Sequence, residues 1–514
     1  MQRIEAYKLP TSGVAREKLR EKGQFWTPDW VAEAMVEYVL TDTGITLFDP
    51  AVGAGAFFLA AKKVVKEKGF DVALAGMDID SDALDQATRF GLTLDDVAHV
   101  KVGDFICESP SEKLSAIVSN PPYIRHHRLA PELKEQLRRL SLQTTGNVLD
   151  GRAGFHIYFL IRALTLLAEN GRLAFIMPAD TCEGKFANDL WRWIAANFAL
   201  EAVVTFAPKA SPFPKVDTNP LIFFIRNTPP EEHFQWAICC EPQTAMLKEW
   251  VQSGFAKEFD QGLTVVQREL HEGLETGLSR LPKTEKSGKY ILGDFVQVVR
   301  GVATGSNDFF FLTEEQKKKT GIPDCYFVRA VGRTRDVPGD EITQETLTTL
   351  QTKGRPTFLL ALNGDESEGY PKTLKNYLCQ GEALGLPKRP LISQRKPWYK
   401  TESRQIPPFL FAYLGRRNVR FIRNTAGIIP LTSFLCLYPK SGTEEHLERL
   451  WRILNHPDTI ANLAMIGKSY GDGAIKVEPR ALERLPVPDH VIAAYGLPLQ
   501  LRLLEEKPEY DTTN

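Results

Sequence analysis

Asn120-Pro121-Pro122-Tyr123 closes the apolar run Leu114-Ser115-Ala116-Ile117-Val118-Ser119, where a buried strand should end. Two consecutive prolines stiffen the turn and remove two backbone donors, leaving the carbonyls of Asn120 and Pro121 to accept hydrogen bonds. The Asn120 side-chain oxygen adds an acceptor, and Tyr123 adds a flat aromatic face. Acceptors grouped beside a stacking ring suit an exocyclic amine on a planar base. A Pro-rich turn can also do nothing more than end a strand, so the neighbouring motifs decide.

Three further strand ends carry matching groups. Thr46-Leu47-Phe48-Asp49-Pro50-Ala51-Val52-Gly53-Ala54-Gly55-Ala56-Phe57-Phe58 reads as strand, Gly-rich turn and helix. Its glycines permit close backbone approach to a ligand. Asp49 before the turn suits a cationic or amine-bearing ligand better than a pyrophosphate. The missing third glycine and the missing Gly-Lys-Ser/Thr leave dinucleotides and ATP poorly supported. A second strand, Val72 to Met77, runs into Asp78-Ile79-Asp80, and an acid there is placed to hold ribose hydroxyls. A third, Ala98 to Val102, ends in Gly103-Asp104-Phe105, where Asp104 can accept from an adenine amino group and Phe105 can stack on the ring. Together these are the groups that an adenosyl ligand requires.

Asp-Pro-x-x-Gly-x-Gly, a strand-end Asp, Gly-Asp-Phe and Asn-Pro-Pro-Tyr, in this order, resemble the amino-methyltransferases that use S-adenosylmethionine. Gly23-Gln24-Phe25-Trp26-Thr27-Pro28, followed by Val31-Ala32-Glu33-Ala34-Met35-Val36, is similar to the opening motif of γ-class adenine-N6 DNA methyltransferases of restriction–modification systems. In that class the catalytic half precedes a target-recognition domain. The resemblance implies that Thr27, Pro28, Asp49, Pro50, Gly53, Gly55, Asp78, Asp104 and Phe105 bind the cofactor, while Asn120, Pro121, Pro122 and Tyr123 hold the target adenine. It also implies double-stranded DNA as partner, a cognate restriction endonuclease encoded nearby, and a monomer in the cytoplasm, associated with the nucleoid.

Those residues need a scaffold. Helix Pro28 to Leu40, helix Phe155 to Glu169, strand Gly171 to Pro178, helix Phe186 to Ala196, and strands Ala202 to Phe206 and Leu221 to Arg226 alternate as a doubly wound, Rossmann-like α/β sheet would. The resemblance adds that its last strand is antiparallel. We read residues 1–235 as the methyltransferase domain, 236–289 as a helical linker, 290–500 as an α+β DNA-recognition domain and 501–514 as a polar tail.

Composition narrows the classes. The chain of 514 residues is 43% hydrophobic, enough for two or three cores. Its apolar runs are too short for a bilayer span, and Met1 to Ala6 lacks a signal-peptide pattern. Seven scattered cysteines without Cys-x-x-Cys spacing point to reduced thiols and to no metal site. Net charge is −1, yet Lys388 to Arg423 holds ten Lys or Arg against Glu402 alone. Such a stretch favours an anionic partner, with Lys396, Arg416, Arg417 and Arg420 as phosphate contacts. Most of its interleaved aromatics, Trp398, Tyr399, Phe409, Phe411, Tyr413 and Phe421, read as core. Arg125, directly after the tetrapeptide, is a further candidate. Arg300 to Phe310 and Lys468 to Pro479 resemble turns of recognition domains.

The implied reaction is methyl transfer to an adenine amine flipped out of the duplex. Tyr123 would cover one face of that base, and an aromatic near Phe213, Phe223 or Phe224 the other. His156 receives no role. Cytosine-N4 methylation obeys the same acceptor logic, and RNA or protein-glutamine methylation shares the tetrapeptide. The large basic second half and the tyrosine favour adenine in DNA.

Overall fold

The computed structural model describes residues 26–496 except 43, 183–185, 214–218, 243, 281, 283–288, 365–368, 413–418, 467 and 471–473. The chain divides into two compact units, the first extending to Pro282.

The first unit is a nine-stranded sheet with helices on both faces. Along the chain run α1 (Asp29–Val39), β1 (Thr46–Asp49), α2 (Ala56–Lys68), β2 (Ala73–Asp78), α3 (Ser81–Arg89), β3 (Val100–Val102), β4 (Leu114–Ser119), α4 (Pro131–Thr145), α5 (Phe155–Leu166) and β5 (Leu167–Pro178). There follow α6 (Ala187–Asn197), β6 (Ala199–Phe206), β7 (Pro220–Arg226), β8 (His233–Cys239), α7 (Met246–Gln252), β9 (Leu263–Glu269) and α8 (Leu270–Thr276). Strand order is β3-β2-β1-β4-β5-β7-β6-β8-β9. The first five are parallel, and β7 runs antiparallel to both β5 and β6. Order reverses between β1 and β4, which opens a crevice at their carboxyl ends.

Alternation along the strands fills both faces. Ile117, Phe175, Phe223 and Ile225 enter one core with α5 and α6. Ala116, Val118, Ile176, Ile222 and Phe224 enter the other with α1 and α2. Strands buried on both sides read as continuous apolar runs, which is why they were visible in the sequence. Helix α5 stops at Leu166, three residues before the expected Glu169, because β5 starts at Leu167.

The segment 236–289 is not a helical linker. Trp236 and Phe234 of β8 bury into one core, Ala237 and Cys239 into the other, and β9 pairs antiparallel with β8 from Leu263 to Glu269. The α/β unit therefore runs well past residue 235. The helical periodicity of α7 had stood for the whole stretch, whereas the β8 register is set by its pairing with β6.

The second unit is α+β. A five-stranded sheet is ordered Val296–Arg300, Phe434–Pro439, Phe409–Ala412, Arg420–Asn424 and Glu341–Ile342. A four-stranded sheet is ordered Phe311–Leu312, Phe358–Leu360, Phe327–Val331 and Ile429–Pro430. Phe409, Phe411 and Phe421 pack in the core of the larger sheet with the helix Glu444–Leu454, as read for those aromatics. The tail from residue 497 lies outside the described residues.

Candidate active site

The ends of β1 and β4 meet at two buried polar residues. Ser119 Oγ donates to Asp49 Oδ1 at 2.9 Å, and the Ala51 N–H donates to the same oxygen at 2.9 Å. Asp49 is 1% exposed. Burial, with a smaller push from the charge of Asp78, outweighs the two hydrogen bonds and raises its carboxyl to about 7. A carboxylate held so close to neutrality is stabilised by a cation.

Asp78, at the end of β2, organises the Gly-rich turn. Its Oδ2 accepts the Gly53 N–H at 2.7 Å, and its Oδ1 accepts the Asp80 N–H at 2.8 Å. Gly53 at φ 53° and Gly55 at φ 84° take left-handed backbone, and Gly55 starts α2. Asp104 caps the single helical turn Phe105–Glu108, accepting from Ile106 N–H at 2.8 Å. Pro28 occupies the N-cap position of α1, and Pro50, next to Asp49 in the chain, is buried.

Asn120 Nδ2 donates to Thr27 Oγ1 at 3.1 Å, joining the opening motif to the turn after β4. Of that opening motif, Gly23 to Phe25 lie outside the described residues, and Trp26 packs on Phe90 with ring centroids 5.1 Å apart. Tyr123 Oη donates to the Ile176 carbonyl at 2.9 Å, and the Phe155 N–H donates to the Ile124 carbonyl at 2.9 Å. The turn is thus fastened to β5 and to the start of α5. Burial holds the Tyr123 phenol well above its ordinary range. Among the described residues no hydrogen bond ends on the Pro121 carbonyl.

Several expected stacking partners are elsewhere. The Phe105 ring is 2% exposed and packs between Phe48 and Phe159, at 6.1 and 5.3 Å. Its packing role precludes an open face for an adenine ring. Phe213, Phe223 and Phe224 are likewise buried, with Phe223 against Trp191 and Phe224 against Tyr38. None of the three presents a face to a flipped base.

Two residues escaped the sequence reading. Ile79, between Asp78 and Asp80, is 76% exposed at the end of β2. An isoleucine so placed offers an apolar face beside Asp78, and its position between two strand-end acids was the available signal. His156, 3% exposed on α5, lies edge-on to Tyr123 at 5.8 Å, with Nε2 3.4 Å from Asp180 Oδ1. Within Phe-His-Ile-Tyr-Phe-Leu nothing distinguishes it from a core histidine.

The basic candidates divide. Arg125 and Lys396 are exposed. Arg420 is committed to the fold: Nη2 donates to the Val337 carbonyl, Nε donates to Gly339 at 3.2 Å, and Nε pairs with Asp340 at 3.4 Å. Within the same stretch Arg389 donates to Ser306 Oγ at 3.0 Å and Arg395 to the Ala303 carbonyl at 2.5 Å, bracing the segment Arg300 to Phe310. Part of the charge excess is therefore structural. Arg416, Arg417 and Tyr413 lie outside the described residues, as do Gly471 to Gly473.

The donor set fits S-adenosylmethionine. A buried acid poised to ionise, a Gly-rich turn pinned by a second acid, and an exposed apolar side chain together match a cation, an adenosyl ribose and a ring.

Comparison with known proteins agrees. The family description "N-6 DNA Methylase" matches residues 5–238, and "Type II methyltransferase M.Eco57I, C-terminal domain" matches residues 277–506. Type II methyltransferase M.AccI of Acinetobacter calcoaceticus is 23% identical over 98% of this chain and 90% of its own length. Type II methyltransferase M.XamI of Xanthomonas campestris pv. amaranthicola is 23% identical over 91% of this chain and 85% of its own. The solved structure of the Type IIL restriction-modification enzyme MmeI in complex with DNA shares the fold, with a TM-score of 0.51 at 12% identity. It covers 94% of this chain and 73% of the other.

Proposed function

The chain belongs to the γ-class N6-adenine DNA methyltransferases of restriction–modification systems, and from that premise we propose which residues do what. The protein is a site-specific DNA methyltransferase that uses S-adenosylmethionine. We assign it the N6 amine of adenine in duplex DNA as acceptor.

The observation that carries this reading is Asn120, at the carboxyl end of β4, oriented by Thr27. Engagement of Nδ2 on Thr27 turns the amide oxygen away from that hydroxyl. Asn120 Oδ1 and the Pro121 carbonyl then accept hydrogen bonds from the two N–H groups of a target amine. Both bonds favour the pyramidal nitrogen and stabilise positive charge as it develops there. The bound cofactor supplies a methyl group as a sulfonium substituent. Because the alkylated amine is strongly acidic, its proton leaves to water, and no residue of the turn acts as a base. Pro122 stiffens the turn, and the Tyr123 ring, fixed by Ile176 and edged by His156, stacks on the flipped base.

For the cofactor, Asp49 faces its cationic groups, Asp78 holds the ribose and the turn Gly53 to Gly55, and Asp104 accepts from the adenine amine. Thr27, Pro28 and Pro50 shape the floor, and Ile79 takes the stacking part first given to Phe105. Arg125 and Lys396 contact DNA phosphates. Arg416 and Arg417 retain that assignment from the sequence alone. The second unit reads the site. We further propose a monomer, active on the nucleoid in the cytoplasm, with its endonuclease encoded nearby. None of the described helices is long and apolar enough to cross a membrane.

Sequencing genomic DNA from an expressing host tests the assignment. N6-methyladenine at one recurrent sequence, absent from the empty host, is the expected result; N4-methylcytosine at that sequence would overturn the choice of base.

A further inference from the structure

Two imidazoles and a carboxylate converge in the second unit, on residues to which the methyl-transfer reading gives no work. His456 N-caps the helix Pro457–Ala461, Asp458 lies in its first turn, and His490 lies in the first turn of the helix Asp489–Tyr495. His490 Nε2 is 2.8 Å from Asp458 Oδ2, and His456 Nδ1 is 3.8 Å from the same oxygen. One ligand atom from each residue lies within 4.8 Å of the other two. The His456 ring stands edge-on to His490 at 5.9 Å and to Tyr495 at 6.3 Å, which restricts its rotation.

We propose that His456, Asp458 and His490 bind a zinc-class divalent cation that ties the helix Pro457–Ala461 to the helix Asp489–Tyr495. Ligands at ordinary zinc bond lengths stand about 3.4 Å apart in a tetrahedron, and the observed separations bracket that value. Two nitrogens and one oxygen favour Zn²⁺, Co²⁺ or Ni²⁺ over Mg²⁺ and Ca²⁺, which prefer oxygen alone. The fourth position is left to water. Asp458 is 55% and His490 64% exposed at the side chain, so a cation reaches them from solvent.

Without metal the same atoms make a weaker arrangement. The Asp458 N–H donates to His456 Nδ1 at a long 3.3 Å, and one carboxylate oxygen serves both imidazoles. Binding exchanges the helix cap for a metal bond and releases to water any proton on the ligating nitrogens, because only neutral imidazole ligates. The cap alone needs His456 and Asp458; it does not need His490, 32 residues further along the chain. The sequence reading expected no metal because it looked for cysteine spacing, and His-Pro-Asp paired with a distant His carries no such signature.

The test uses the full-length protein stripped with a chelator. Calorimetric titration with Zn²⁺ should give one site per chain, Co²⁺ should give the visible spectrum of a tetrahedral N/O site, and Zn²⁺ should raise the melting temperature. His490→Ala and, as a conservative second variant, His490→Gln should each weaken Zn²⁺ binding by about tenfold or more and lose the thermal shift. Their metal-free melting temperatures should match wild type, since His490 is exposed. Equal Zn²⁺ affinity and shift in wild type and both variants, or no saturable site in wild type, would overturn the proposal. DNA methylation is read separately and does not bear on it.

Discussion

Asn120 Nδ2 donates to Thr27 Oγ1 across 93 positions of sequence, so the turn that ends β4 is tied to the motif that opens the domain. The resemblance had placed Thr27 on the cofactor. In the proposed reading its hydroxyl also positions Asn120 for catalysis.

Thr27→Val should therefore lower kcat by about tenfold, the loss of one neutral hydrogen bond of roughly 1–1.5 kcal/mol. Affinity for S-adenosylmethionine should change by less than about twofold, and Thr27→Ser should restore the rate. A variant with weakened cofactor binding and unchanged kcat would show that the hydroxyl serves the cofactor and not Asn120.

Asp49 predicts a pH dependence. Its folded-state pKa is raised to about 7 from an ordinary 3.8. Between those values the folded state holds a proton that the unfolded chain has lost. Its stabilising effect is full below pH about 4 and is lost as pH rises through 7, on the order of 4 kcal/mol at most. Denaturant unfolding at pH 5 and pH 8 should show wild type losing more stability than Asp49→Asn. A cationic ligand reverses the preference, so S-adenosylmethionine affinity should rise through pH 7 in wild type and stay flat in Asp49→Asn. Identical profiles for the two proteins would exclude Asp49 as the titrating group.

Asp78→Ala should weaken S-adenosylmethionine binding by about 1–3 kcal/mol, because it removes a charged acceptor and unpins the Gly53 N–H. Calorimetry with unchanged affinity would remove Asp78 from the site.

The legible parts of this fold were those with a local signature. Asp49, Asp78, Asp104 and Asn120 each stand where an apolar run turns polar, and each is found at a strand end or just after one. Aromatic side chains gave no such guidance. Phe105, Phe213, Phe223 and Phe224 were chosen by residue type, but tertiary packing decides which ring keeps an open face, and all four are buried. Ile79 shows the converse, an apolar residue left exposed by its strand end. Strands β8 and β9 were missed because their burial depends on neighbours fixed by long-range pairing, and Arg420 because a charge excess does not distinguish phosphate contacts from carbonyl contacts.

The extra strands move the useful truncation point. A fragment ending at Pro282 keeps all nine strands and should bind S-adenosylmethionine while losing site-specific methylation. A fragment ending at residue 235 exposes the β6 edge and the faces that α7 and Trp236 cover, so it should aggregate or unfold. Sequence-specific methylation by the longer fragment would show that recognition does not reside in the second unit.

In the proposed reaction Asn120 acts on the amine of adenine and not on affinity. The most direct test of this is mass spectrometry of nucleosides from duplex DNA treated with wild type and with Asn120→Ala, with cofactor and DNA affinities measured in parallel. Wild type should yield N6-methyladenine and the variant none above background, with affinities within about twofold for both. Near-normal turnover by Asn120→Ala, or a wild-type product that is not N6-methyladenine, would contradict it.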